Sequence, residues 1–173
     1  MNYDLEYRDN LLRIHSKTAE EICKIRWDWV KDCEAKTILD YGCGVGWFRA
    51  FSPNGSQVDT YDIMPVIQTG ITRDNYDLIT FWDVLEHIVK LDDIEFFLKR
   101  VKYAAISIPI IPKNVFFNLK SWHHYKPGEH IHYFTERSIE QKFRSWGFGL
   151  VKKGTPECPP RKDVSNFLFK KEA

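Results

Sequence analysis

The 173-residue chain lacks several features that would assign it to common protein classes. Its four cysteines, at positions 23, 33, 43 and 158, form no C-x-x-C pair. This wide spacing argues against a zinc knuckle and against a disulfide framework, so a reduced intracellular protein is expected. No apolar run approaches the length of a membrane span, and no internal repeat or low-complexity segment is visible.

The chain also lacks an excess of charge of either sign. The 25 basic and 24 acidic side chains give a formal net charge of +1, so no general attraction to nucleic acid or to a membrane is expected. The N-terminus has no basic region followed by an apolar run, so we expect no secretory signal and predict a cytoplasmic location. The length predicts one domain with a substantial core.

The most informative stretch of the sequence is a glycine-rich turn within residues 38–46. Two apolar residues lead into Asp40, and glycines come after it at alternate positions, Gly42, Gly44 and Gly46. This pattern predicts a buried strand, a tight turn and the start of a helix. Alternate glycines allow positive φ and remove the Cβ atoms that hold a ligand away from the backbone. Free N–H groups beside a carboxylate suit a ligand with both a carboxylate and a cationic amine, such as an amino-acid moiety.

Other glycine motifs fit this stretch less well. No Gly-Lys-Ser/Thr comes after the glycines, which excludes a P-loop. The dinucleotide fingerprint G-x-G-x-x-G requires a third glycine where this chain has Trp47, which disfavours a nicotinamide oxidoreductase without removing it as an alternative. A glycine turn without any ligand is the remaining alternative.

A second acid lies at the end of the next predicted strand. Asp62 lies 22 positions after Asp40, the spacing of an acid that accepts hydrogen bonds from ribose hydroxyls, with Asp59 as the fallback if the strand ends earlier. Ile63 is placed to pack against an adenine ring. The segment 63–75 is too short for a helix, a strand and their connections, so we predict that the third strand and the second crossover helix are truncated.

Two motifs resemble the class I methyltransferases that use S-adenosyl-L-methionine. Residues 40–46 match the pattern D-x-G-x-G-x-G, and Asp83-Val84-Leu85-Glu86-His87-Ile88 resembles the segment after strand four of that family. Residues 130–135 also resemble the segment after its fifth strand. The resemblance implies a Rossmann-like, doubly wound α/β sheet, mostly parallel with an antiparallel C-terminal strand. It implies S-adenosyl-L-methionine as cofactor, bound by Asp40, Gly42, Gly44, Gly46, Asp62, Ile63 and Asp83.

Residue patterns place the elements of this fold along the chain. Helices are predicted to begin at the capping residues Thr18, Asp92 and Thr135. Strands are predicted at 37–40, 57–62, 77–83, 103–108, 148–151 and 164–169. The prediction is one domain over 1–173, with an N-terminal arm at 1–15 and an insert at 109–134 that the resemblance places on the substrate side.

The histidines between 123 and 132 suggest a metal site, but the usual spacing is absent. His130 and His132 share a face if the chain is extended, and Glu129 could complete a site. Without H-E-x-x-H or paired cysteines, no metal is predicted. His130 and His87 are instead the candidate general bases.

The predicted function is methyl transfer to an oxygen, nitrogen or carbon atom of a small-molecule acceptor. The alternative is a catalytically silent relative that serves as a binding or scaffold protein, which the short region 63–76 suggests. A nucleic-acid acceptor is not expected, because Asn/Asp-Pro-Pro-aromatic is absent after strand four and the net charge is near zero. No membrane partner is expected, and the sequence gives no oligomeric state.

Overall fold

One mixed β-sheet organises the protein, whose computed structural model describes residues 16–63, 70–115 and 118–172. Its strands run in the order β2-β1-β3-β4-β6-β5. The first four of these are mutually parallel, and β6 is antiparallel to both of its neighbours. The predicted mostly parallel sheet with an antiparallel C-terminal strand is therefore confirmed. The strands are β1 (Thr37–Tyr41), β2 (Gln57–Tyr61), β3 (Tyr76–Trp82), β4 (Val101–Pro109), β5 (Phe148–Gly154) and β6 (Val164–Lys171).

Helices cover both faces of the sheet, as buried parallel strands require. Side chains alternate along β3, so Leu78 and Ile79 belong to different apolar clusters. The Leu78 cluster packs against α1 and α2, and the Ile79 cluster packs against α3 and α4. The helices are α1 (Ser16–Val30), α2 (Trp47–Ala50), α3 (Glu95–Leu98) and α4 (Glu136–Ser145). Within the described part of the chain, no helix is both long and apolar enough to cross a membrane.

The connection from β2 to β3 is short, as predicted. Its described residues contain no helix and no strand, only an isolated antiparallel bridge between Thr60 and Gly70. Asp59 anchors this connection, because its carboxylate accepts hydrogen bonds from Thr72 N at 2.7 Å and from the Tyr76 hydroxyl at 2.7 Å. Asp59 is the alternative ribose ligand only if β2 ends early. Because β2 continues to Tyr61, Asp62 stays the predicted ribose ligand.

Two of the three predicted helix caps are wrong. Helix α1 already begins at Ser16, so Thr18 lies inside it. Asp92 lies within a 3₁₀ turn, where its carboxylate pairs with Lys142 of α4 at 2.6 Å instead of capping a helix. Thr135 does cap α4, since its hydroxyl accepts from Ser138 N at 3.1 Å. A four-residue capping pattern is short, and tertiary partners compete for the same side chains. The predicted arm 1–15 lies outside the described residues.

Candidate functional site

The glycine turn joins β1 to α2 at the carboxyl edge of the sheet. All three glycines have positive φ, 72° at Gly42, 52° at Gly44 and 80° at Gly46, a region that other residues enter only with strain. The turn is fixed to the end of β2, because the N–H groups of Gly42 and Cys43 both donate to Tyr61 O, at 2.7 and 3.2 Å. The backbone conformation is therefore the one that the alternating glycines predicted.

The three glycines of the turn have different surroundings. A Cβ atom on Gly44 or Gly46 would meet no atom of the described residues within 4 Å, whereas one on Gly42 would lie 2.5 Å from Val84 Cγ2. Gly42 is thus needed for packing against the segment after β3, and only the other two glycines leave room for a ligand. The different role of Gly42 could not be predicted from the sequence, because its contact with Val84 depends on how β1 and β3 pair.

Asp40 lies at the end of β1 with 2 % of its surface exposed. Its Oδ1 accepts a hydrogen bond from the Thr80 hydroxyl at 2.7 Å. Among the described residues, no basic side chain forms an ion pair with it. Burial raises the pKa of the Asp40 carboxyl to about 6, and the hydrogen bond from Thr80 and the nearby charge of Arg26 oppose that increase. A buried carboxylate without a paired cation is a suitable partner for a cationic ligand group.

Asp62 lies directly after β2 and closes the other side of the turn. Its Oδ2 accepts a hydrogen bond from Gly44 N at 2.8 Å, which brings the two predicted cofactor residues together. Ile63 is the next residue and is 74 % exposed. The ends of β1 and β2 therefore place Asp40, Gly44, Gly46, Asp62 and Ile63 along the same edge of the sheet, although α2 contributes only a single helical turn beyond the glycines.

Asp83, the remaining predicted cofactor residue, has a different environment. Its carboxylate is bound by Arg26 at 2.8 Å and by Arg161, whose Nη1 lies 2.9 Å from Oδ2. The same two arginines bind Glu157, which is fully buried and also accepts from the Asn166 side-chain amide at 2.8 Å. Burial acts against the ionised form, but the two guanidinium groups hold the pKa of the Asp83 carboxyl well below its usual range. Its role as a cofactor ligand stays a prediction, and the ion pairs favour a structural role.

The candidate bases His87 and His130 lie next to each other, with ring centroids 4.9 Å apart. Burial lowers the pKa of His130 to about 4, with the His87 ring as the next largest cause. Glu86 precedes His87 and is 2 % exposed, and burial together with the charge of Asp83 raises the pKa of its carboxyl to about 8. Sequence reasoning did not select Glu86, although it belongs to the motif at 83–88 that carried the resemblance.

The insert 109–134 adjoins this edge beyond β4. A cavity of about 280 Å³ lies between the insert and the segment before β6. Trp122 lines it and donates from Nε1 to Asp163 Oδ2 at 3.0 Å, while the Ile110 N–H donates to Asp163 O at 2.8 Å. The lining residues are Pro112, Val115, Ser121, Trp122, His123, Lys162 and Asp163.

Fold and site together define a Rossmann-like α/β protein with a glycine turn after its first strand, at the edge where such sheets bind nucleotides. Comparison with known families is more specific: residues 5–153 match the family model described as "Methyltransferase domain". The chain belongs to this methyltransferase family, as its motifs predicted. The cofactor of the family is S-adenosyl-L-methionine, which confirms the predicted cofactor.

Solved structures agree on the fold at low sequence identity. Magnesium protoporphyrin IX methyltransferase from Synechocystis PCC 6803, with bound S-adenosylhomocysteine, matches with TM-score 0.62 and 16% identity, over 91% of this chain and 84% of that one. An S-adenosylmethionine-dependent methyltransferase from Clostridium acetobutylicum ATCC 824 matches with TM-score 0.63 and 13% identity, over 97% of both chains. The small RNA methyltransferase HEN1 matches with TM-score 0.56 and 16% identity, over 87% of this chain and 25% of that one. No curated protein matches by sequence.

Proposed function

We propose that this protein transfers a methyl group from S-adenosyl-L-methionine to an oxygen, nitrogen or carbon atom of a small-molecule acceptor. The observation that carries the proposal is the turn at 42–46, in which Gly44 and Gly46 lie between the buried Asp40 and the half-buried Asp62. When bound, the cofactor supplies an electrophilic methyl group on a sulfonium sulfur. The protein has to hold the acceptor in line with it and exclude water.

We assign the cofactor groups to this chain by charge and shape. Asp40 would accept from the cationic amine, because its carboxylate has no basic partner among the described side chains. Gly44 and Gly46 would let the backbone approach the ligand. Asp62 would accept from the ribose hydroxyls while keeping its bond from Gly44 N, and Ile63 would pack on the adenine.

The acceptor side is assigned to the insert 109–134, whose cavity of about 280 Å³ suits part of a small molecule. The formal net charge of +1 gives no general attraction to a polyanion and supports a small acceptor over a nucleic acid. Relatives of known fold include both a porphyrin and an RNA methyltransferase, so the acceptor has to be measured. His87 and His130 are the candidates for a general base on an acceptor that loses a proton.

Titration calorimetry with S-adenosylhomocysteine tests this assignment. We expect one binding event per wild-type chain and a loss of about tenfold or more in affinity for Asp62→Ala, since a hydrogen bond to a charged group contributes about 1.5–3 kcal/mol. The matched control is Asp74→Ala, an exposed acid in the same connection between β2 and β3. Absence of binding by the wild-type protein would overturn the proposal.

A transfer assay separates the enzyme from the silent scaffold alternative. Radiolabelled S-adenosyl-L-methionine is incubated with the protein and small-molecule extracts, and labelled products are separated by chromatography. The proposal expects a labelled product that Asp62→Ala forms more slowly. Tight binding of S-adenosylhomocysteine without any labelled product would support the silent alternative.

A further inference from the structure

Three side chains beyond the carboxyl end of β3 form a compact cluster of metal-ligating atoms. A carboxylate oxygen of Glu86 and one ring nitrogen each of His87 and His130 all lie within 4.8 Å of one another. Neighbouring ligand atoms of a tetrahedral Zn²⁺ site are roughly 3.4 Å apart, so closure around an ion needs side-chain shifts on the order of 1 Å.

The backbone fixes the two chain segments that carry these ligands. Glu86 O accepts from the N–H groups of Ile131 and His132, at 2.7 and 3.1 Å. His130 is further held by its own N–H, which donates to Lys126 O at 2.8 Å. The segment after β3 and the insert after β4 are therefore joined where the three ligands meet, and only the side chains have to move to close around an ion.

The tautomer of His87 suits a metal ligand. Its Nδ1 lies 2.9 Å from Glu129 O, and a carbonyl oxygen can only accept, so Nδ1 carries the proton. Nε2 then keeps its lone pair. Imidazole ligands in metal sites usually donate the other ring N–H to a carbonyl or carboxylate in this way.

Glu86 supplies an independent observation that favours a bound cation. The residue is almost completely buried, yet its Oε2 has no hydrogen-bond partner among the described residues. A buried carboxyl oxygen without a hydrogen-bond partner is costly, and a bound cation would satisfy it. The nearby arginines, Arg26 and Arg161, are already bound to Asp83 and Glu157.

We propose that Glu86, His87 and His130 form a binding site for one divalent first-row transition-metal cation, such as Zn²⁺. Two imidazoles and one carboxylate suit this class of ion, whereas Mg²⁺ and Ca²⁺ prefer oxygen ligands alone. Three protein ligands leave at least one open position, which is the arrangement of catalytic rather than structural zinc sites. The proposal replaces the expectation, drawn from sequence spacing, that the chain binds no metal.

The site also changes what the two histidines can do. A ring nitrogen that holds a cation is not available as a general base, so the base candidates of the proposed function become ligands instead. Glu129, whose Oε1 lies 3.9 Å from His130 Nε2, is the further carboxylate at the edge of the cluster and is paired with Lys126 at 3.1 Å.

Titration of the metal-free full chain with Zn²⁺ tests the proposal, with Co²⁺ absorption as a second readout of coordination. We expect one Zn²⁺ per wild-type chain and a cobalt spectrum typical of mixed nitrogen and oxygen ligation. Glu86→Gln, His87→Gln and His130→Gln should each lose at least about 10- to 100-fold in affinity, the range found even for residues behind the metal ligands. Glu86→Gln preserves volume, and circular dichroism confirms that each variant is folded.

Matched controls exclude other donors. His123→Gln alters a second histidine pair, whose rings are 4.0 Å apart, and Cys158→Ser removes the exposed thiol. Both should bind Zn²⁺ like the wild type. Absence of stoichiometric binding by the wild-type chain would overturn the proposal, as would equal binding by all three ligand variants. Binding of S-adenosylhomocysteine is measured on the same samples, so failure of the metal site and failure of the proposed function give separate results.

Discussion

Asp40 and Asp83 lie at the ends of neighbouring parallel strands at the same edge of the sheet, yet their surroundings differ. Asp40 is buried with a hydroxyl partner and no ion pair to a described basic residue, and the pKa of its carboxyl is raised to about 6. The Asp83 carboxylate is shared by Arg26 and Arg161, and its pKa is lowered. Because Asp83 is already neutralised by the protein, its charge is available to hold the fold together. Asp40 retains a charge that a ligand can neutralise.

The largest expected effect comes from breaking the ion pairs around Asp83. Arg26→Ala removes one of the two arginines that Asp83 and the fully buried Glu157 share, so we expect a loss of about 3 kcal/mol in the free energy of unfolding. Urea denaturation measures it. The control is Lys31→Ala, which removes the exposed pair with Asp28 and should cost about 0–1 kcal/mol. Equal losses for the two variants would mean that the pairs around Asp83 do not stabilise the fold.

The pH dependence of stability tests the Asp40 half of the comparison between Asp40 and Asp83. The folded-state pKa of Asp40, about 6, exceeds its unfolded value, so ionisation of this one group lowers the stability of the protein as the pH rises from about 4 through 6. Asp40→Asn removes this loss, and we expect it to exceed the wild type in stability by at most about 3 kcal/mol at pH 7, with little difference at pH 4. Urea unfolding at both pH values measures the difference, with exposed Asp32→Asn as control. The raised pKa would be contradicted if the stability of Asp40→Asn relative to the wild type were lower at pH 7 than at pH 4.

The lowered pKa of Asp83 has the opposite sign. Its contribution is present above the unfolded pKa of about 4 and is lost as the pH falls through the lower folded value. The two acids on adjacent strands therefore change the stability of the protein in opposite directions across the acidic range.

The smallest expected effect on stability comes from two glycine variants, which distinguish a loss of stability from a loss of ligand binding. Gly44→Ala and Gly55→Ala both place a side chain at positive φ with no described atom within 4 Å, so each should cost about 1–2 kcal/mol in thermal or urea unfolding. Only Gly44 lies in the cofactor turn, and only its variant should lose affinity for S-adenosylhomocysteine. Equal binding by the two variants would show that the ligand does not approach Gly44.

Much of this architecture could be predicted from local patterns. The strand before Gly42, the acid after β2 and the short connection beyond it are visible as runs of apolar residues, glycines and acids along the chain. Thr135 could be predicted as a helix cap because its partner Ser138 lies within the same four residues of sequence.

The rest depends on contacts between distant segments. Arg26 and Glu157 are 131 positions apart, so no local pattern could pair them or reveal that Asp83 is already neutralised. The packing of Val84 on Gly42, and the approach of His130 to Glu86, likewise depend on the pairing of strands and not on spacing. Sequence motifs therefore located the acids but did not show which of them a ligand would find unpaired.

Calorimetric titration of S-adenosylhomocysteine into Asp40→Asn and Asp83→Asn, with both variants folded at neutral pH, tests the central claim most directly. We expect Asp40→Asn to lose about tenfold or more in affinity, as a charge-assisted hydrogen bond would, while Asp83→Asn binds within about threefold of the wild type. Wild-type affinity in Asp40→Asn, together with lost binding in folded Asp83→Asn, would contradict the assignment of the cofactor site to the Asp40 side of the edge.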